Sequence, residues 1–171
     1  EKAIAEMCRR AEGAVDKGHN FIILSDRGIS PVLAPIPSLM AVSAIHHHLI
    51  NTKKRMQIGL IVESAEPREV NHFALLFAFG ASVVNPYGAF AVIERLCEAG
   101  EIQNEYFTAR EHYIKSIDKG LLKVMSKMGI STLRSYHGAQ IFEAIGISPE
   151  ITDKYFRGTD SRIGGLGHEE I

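Results

Sequence analysis

No apolar run in this 171-residue chain reaches the roughly 18 residues that a membrane-crossing helix requires, and no charged-then-apolar leader opens it. Charge of one sign is also lacking. With 19 Lys and Arg against 20 Asp and Glu, the net charge is -1. There is no basic stripe to grip nucleic acid and no like-charge block to form a solvated tail. Cysteine is scarce: Cys8 and Cys97 are far apart and lack metal-ligand spacing. They read as reduced thiols of a cytosolic-type protein. An initiator Met is missing as well. The chain opens at Glu1 inside a helical pattern (Ile4, Met7, Cys8, Ala11), as a piece of something longer would.

What is present is apolar patterning. Apolar residues make up 46% of the chain, enough for a proper core, and the length suits one domain over residues 1–171. Residues 1–18 read as an amphipathic helix stopping near Gly18. "FIILSD" (21–26), "IGLIVES" (58–64) and "SVVN" (82–85) read as buried strands that end in polar groups. "RGISPVLAPIP" (27–37) is a loop punctuated by prolines. Helices are expected from about Ser38 to Thr52, from Pro67 to Gly80 with Pro67 in the first turn, over 87–99, and over 108–127. In the last of these Ile114, Ile117, Leu121, Val124, Met125 and Met128 keep the 3.6 period. "ISTL" (130–133) suggests a short fourth strand, with further helices near 138–145 and 149–156. The terminal "RGTDSRIGGLG" (157–167) reads as a Gly-rich segment.

Strands alternating with helices predict an α/β fold of βαβ units. The sheet is mostly parallel and covered by helices, as a partial flavin-barrel-like or open-sheet domain. Near-continuous apolar strands predict cover on both faces. The carboxyl ends of such strands gather at one edge, where sites are normally built. That edge would collect Ser25, Asp26, Arg27, Glu63, Ser64 and Asn85, with Ser131 and Thr132 from the fourth strand.

Three features invite a chemical reading, and each has a structural one. His46, His47 and His48 are consecutive on a helix, so their side chains point about 100° apart and cannot converge on one ion unaided. His46 falls on the stripe with Leu39, Val42, Leu49 and Ile50, as a packed, hydrogen-bonded core histidine would. Asp26, Glu63 and Glu66 could form a general acid/base pair if their surroundings push their acidities apart. Alternatively, Asp26 ties down the Arg27-Gly28 turn, while Glu66 and Glu69 favour the start of their helix through its dipole. "GTDSRIGGLG" has the ingredients of an anion-binding turn but not the dinucleotide fingerprint.

The segments "LSDRG", "PIPSLMAVSAIHHHLI", "GLIVESAEPREVNHFALLFAFGASVVNPY", "KGLLKVMSKMGISTLRSYHGAQIFEAIGI" and "YFRGTDSRIGGLG" together resemble the large chain of glutamate synthases. The match covers nearly the whole sequence in the family's order. Departures are small: the family's "AVHHHLI" is "AIHHHLI" here, "ESGEAREVHHFA" is "ESAEPREVNHFA", and "NPYLAFE" is "NPYGAFA". Asn71, where the family often has a second His, argues against a metal there. The resemblance implies an oxidoreductase that makes two glutamates from glutamine and 2-oxoglutarate. An amidotransferase domain releases ammonia, and an FMN site fed by a 3Fe-4S cluster reduces 2-iminoglutarate. It places this stretch in the C-terminal half of the central domain between those two. It implies location in the bacterial-type cytoplasm or an organelle stroma, and an electron-donor subunit or ferredoxin as partner. Neither cysteine here matches the family's nucleophile or cluster motifs. The implied role is therefore non-catalytic, with no cofactor held by this stretch and self-association through uncovered apolar surface. The alternative is a stand-alone α/β module that binds a small molecule at the strand-end edge.

Overall fold

The computed structural model describes all residues from Glu1 to Ile171. The first helix, α1 (Lys2–Asp16), buries Ile4, Cys8, Ala11 and Val15, a spacing of four, three and four that keeps one stripe inward. It lies against α2 (Ser38–Asn51), which is buried on most sides because Met40 through Ile45 offer almost no polar group. Burying Ile45 and Leu49 completely is worth about 1.5–3 kcal/mol each. A polar clasp joins the two helices at the rim. Glu12 meets His48 Nε2 at 2.9 Å and Lys54 Nζ at 2.8 Å, and Lys54 also reaches Asp16.

Strands β1 (Phe21–Ser25), β2 (Gly59–Glu63) and β3 (Val83–Asn85) form a parallel sheet in that order. Phe21 pairs with Gly59 and Ile61 with Val83, so the three predicted strands are adjacent and parallel as expected. Between β2 and β3 runs α3 (Val70–Ala78), which packs with α2. Leu24, Val42, Val62, Leu76 and Val84 meet between the sheet and these helices.

The opposite face has no such cover. Phe21 is 66%, Ile23 63% and Val83 51% exposed. Cover on both faces, which the apolar strands predicted, is therefore present on one face only. The strands carry apolar side chains on both sides, while α2 and α3 both lie on one. Sequential parallel strands with helices on a single face have the geometry of an arc of a β/α barrel. Within α3, Phe73, Ala74, Leu76 and Ala78 are buried, but Asn71 and His72 are exposed and Phe77 is only half-buried. This helix is less enclosed than its composition predicts. It also starts later, because Pro67 lies in the preceding turn. Glu69 and His72 close a capping box at its start.

Beyond β3, α4 (Tyr87–Glu98) and α5 (Tyr106–Lys127) pack on one another, and α5 lies along α3. The chain then departs from expectation. Residues 130–133 form no strand: the Thr132 side chain accepts from Ser135 N and caps the short α6 (Leu133–Tyr136). The helix expected near 138–145 is instead strand β4 (Glu143–Ile147). After α7 (Pro149–Tyr155), the Gly-rich segment is strand β5 (Asp160–Leu166), parallel to β4. α7 returns to the main core, where Ile151, Tyr155 and Phe156 join the α1–α2 cluster. No helix is long and apolar enough to cross a membrane.

Candidate functional site

The last residues of the three strands are register partners: Ser25 opposes Glu63, and Glu63 opposes Asn85. By strand alternation all three side chains leave on the uncovered face. Glu63 is the hub. Ser25 Oγ donates to its Oε2 at 2.6 Å, Arg27 Nε meets Oε1 at 2.9 Å, and Asn85 Nδ2 donates to Oε1 at 3.4 Å. The Ser25 hydroxyl and then the Arg27 guanidinium hold the Glu63 carboxyl below the usual carboxylate range.

One residue along, Asp26 serves a different loop. Its Oδ2 accepts from Ser64 Oγ at 2.6 Å and from Ala65 N at 3.0 Å. Asp26 therefore ties the exit of β2 to that of β1, while the Arg27 N–H donates to Ser25 Oγ at 3.2 Å. Burial by itself would raise the Asp26 pKa. Hydrogen bonds from Ser64, Tyr87 and Ala65 outweigh it and hold the group low. Tyr87 belongs to this edge although its sequence context gave little sign of it. Its ring lies 4.1 Å from the Arg27 guanidinium carbon, and its hydroxyl is made less acidic by Asp26. The available signal was its place just after "NP", two residues beyond a strand end.

Six of the eight predicted edge residues are thus brought together: Ser25, Asp26, Arg27, Glu63, Ser64 and Asn85. Ser131 and Thr132 are not. They stand next to Ile130 and Tyr136, which pack on the carboxyl-terminal end of α3, the end remote from this edge. The fourth strand that would bring them to this edge does not form. Glu66 also has a different role from the expected one. It accepts from Ser38 N at 2.9 Å and from the Ser38 hydroxyl, so it serves the first turn of α2 and not that of α3.

General acid/base chemistry needs two groups pushed apart in acidity, one of them held protonated near neutral pH. Asp26 and Glu63 are both shifted down, and each is engaged by neighbouring donors. The arrangement suits two fixed carboxylates that fasten strand ends and loops.

The three histidines diverge as helix geometry requires. His46 Nδ1 meets Arg55 Nε at 2.8 Å, His47 Nδ1 meets Ser43 O at 2.9 Å, and His48 turns to Glu12. His46 is the buried core histidine expected, although Ile50, assigned to the same stripe, is 48% exposed. Burial and the Arg55 charge push His46 down to about 3. Arg55 itself donates to Ile58 O at 2.7 Å and to Gly80 O at 2.8 Å. Its sequence context, a polar stretch before β2, gave no sign of this. Cys8 is buried in α1 and Cys97 half-buried in α4.

The family model for the glutamate synthase central domain matches residues 1–148. Over 171 residues the chain is 48% identical to the NADPH glutamate synthase large chain of Bacillus subtilis, covering 100% of this chain and 11% of that one. The NADH glutamate synthase of Saccharomyces cerevisiae is 44% identical, over 98% of this chain and 8% of its own. The ferredoxin-dependent glutamate synthase of Pyropia yezoensis is 39% identical, over 100% and 12%. The chain spans about a tenth of the length of these relatives.

Proposed function

Because this chain belongs to the glutamate synthase family, as its central domain, we propose that it is a non-catalytic structural part of an oxidoreductase making glutamate from glutamine and 2-oxoglutarate. Residues 1–171 act as one α/β unit of that domain. Its neighbours are the amidotransferase and FMN-binding domains of the same longer chain, and the electron donor is a separate subunit or ferredoxin. The intact enzyme sits in a bacterial cytoplasm or an organelle stroma.

One observation carries the reading: the strand-end polar groups engage one another, with the buried Asp26 Oδ1 alone lacking a hydrogen-bond partner, while an apolar sheet face is left bare. A catalytic edge would present free donors or a carboxyl held protonated. An uncovered apolar sheet face instead marks a surface that another part of a larger assembly covers.

The residues present do not fit the implied cofactors. A 3Fe-4S cluster is held by cysteine thiolates, and this chain has two cysteines, one on α1 and one on α4. The one phosphate-like segment, Gly158 to Gly167, is mostly strand β5 and leads into no helix whose N-terminus could receive a phosphate. FMN and the cluster belong, in this reading, to other parts of the parent chain.

Flavin fluorescence and light scattering test this. The isolated chain is expected to give no saturable FMN quenching at micromolar protein, and to self-associate through its bare face. Tight FMN binding by this chain alone would overturn the structural role and turn the strand-end edge into a ligand site.

A further inference from the structure

In this sheet each helix sits over the gap between two neighbouring parallel strands. α2 connects β1 to β2 and α3 connects β2 to β3, both on the covered face. α1 precedes β1 in the same way and lies beside α2 on that same face, with Ile22 and Leu24 packed against their shared core. No strand of this chain lies on the other side of β1, which is an edge. A groove of about 880 Å³ runs between α1, β1 and the 27–37 loop, lined by Met7, Ala14, Phe21, Ile23, Leu33 and Ile36 among others.

The backbone there is ready for pairing. Asn20 O accepts from Gly59 N, and Asp26 N donates to Glu63 O. In a parallel ladder the groups of alternate residues face one neighbour. Ile22 and Leu24 therefore face β2, and the N–H and C=O of Phe21, Ile23 and Ser25 face outward. A bare apolar edge of this kind is a template for another strand.

We infer that a strand from the remainder of the longer parent chain adds to the β1 edge, parallel to β1, beneath α1. The inference rests on the structural role proposed above. The relatives that carry this stretch are about ten times longer, so the polypeptide to supply the strand exists in them. The parallel direction follows from the βαβ rule, with α1 as the crossover helix. The strand is apolar on both faces: one side meets the α1–α2 core and the other continues the bare surface of Phe21 and Ile23.

Amide exchange read by NMR or mass spectrometry tests the pairing. The 171-residue chain is compared with a chain of the relatives' full length that carries this sequence. Phe21, Ile23 and Ser25 should exchange freely in the short chain and on the order of a hundredfold more slowly in the long one. Ile22 and Leu24 should be protected in both. Ile23→Pro removes an outward N–H at an edge position where proline is tolerated, so it should lower the Tm of the long chain by more than that of the short chain. Free exchange of the three amides in the long chain, with protection gained elsewhere in this stretch, overturns strand addition alone. If no amide of this stretch differs between the two chains, the structural role fails with it. Protection of these three amides that depends on protein concentration in the long chain as well as in the short one makes the occupant a second copy and overturns the inference. An equal Tm loss in both chains does the same.

Discussion

Arg55 Nε donates to His46 Nδ1 at 2.8 Å, so a permanent cation is held against a buried imidazole that must stay neutral to accept it. Burial and this cation push His46 to about 3, and burial lowers His47 and His137 as well. In the unfolded chain these rings take up protons near pH 6.5. Below that the unfolded state binds more protons than the native one, so stability is full above pH 6.5 and falls as the solution is acidified. The slope approaches ~1.4 kcal/mol per pH unit for each strongly lowered ring. Urea melts at pH 7, 6 and 5 should show a falling midpoint at constant m-value. A flat midpoint would mean that the imidazoles are hydrated.

Gly80 is the other half of that contact. It adopts φ +114°, and an added Cβ would come within 2.3 Å of His46 Nδ1. Gly80→Ala combines backbone strain with a collision against the Arg55–His46 pair. It should cost at least about 2 kcal/mol in a denaturant melt. A cost below half of that would show that the ring can move aside.

Tyr136 is almost completely buried, yet its hydroxyl has no hydrogen-bond partner. Tyr136→Phe removes a desolvated polar group and keeps the ring. It should be neutral, or stabilise by up to about 1 kcal/mol. A clear loss of stability would reveal a partner for that oxygen, such as a bound water.

Asp26→Asn tests the fastening of the strand ends. The amide cannot accept from Ser64 and Ala65 as strongly as the carboxylate does, so a loss of about 1–3 kcal/mol is expected. The loss should be largest above the carboxylate range. It should shrink as acid protonates the wild-type group, because a carboxyl with a lowered pKa stabilises the fold only while it is ionised. Melts of both proteins at pH 7 and pH 3 measure this. A gap that does not narrow would mean that the charge plays no part.

Zinc should not bind stoichiometrically at His46–His48, since each ring is already turned to a different partner. Calorimetry on tag-free protein checks this. A one-to-one site abolished by His47→Ala would contradict the geometry.

The first hundred or so residues were legible because their signals are local. Apolar runs such as Phe21–Leu24 and Leu60–Val62 between turn residues mark strands at any position in the fold. The stretch from 130 to 166 was not legible, apart from the helix near 149–156, which forms as α7. Ile130 to Leu133 has strand-like composition, but the Thr132 side chain competes by capping a helix. Glu143 to Ile147 looks helical by residue type and becomes a strand only by pairing with β5. β5 in turn depends on close backbone approach, where a Cβ on Gly165 would lie 2.4 Å from Gly146 O. Such pairing is a long-range property that local composition does not carry. At the strand-end edge the residue types were visible, but their mutual hydrogen bonds depend on a strand register that only the assembled sheet defines.

The row Ser25–Glu63–Asn85 also bears on how a neighbouring strand can align. Below the row the open face is apolar, and at the row it turns polar over the two residues from Ile23 to Ser25, Ile61 to Glu63 and Val83 to Asn85. A strand joining β1 in the correct alignment brings a polar side chain level with Glu63. A slip by one residue turns its side chains to the wrong face, and a slip by two sets an apolar group beside the Ser25 hydroxyl, at the end of the polar row. The row is therefore a stop mark at the end of the sheet, selecting a single alignment from several that the bare apolar surface alone would accept.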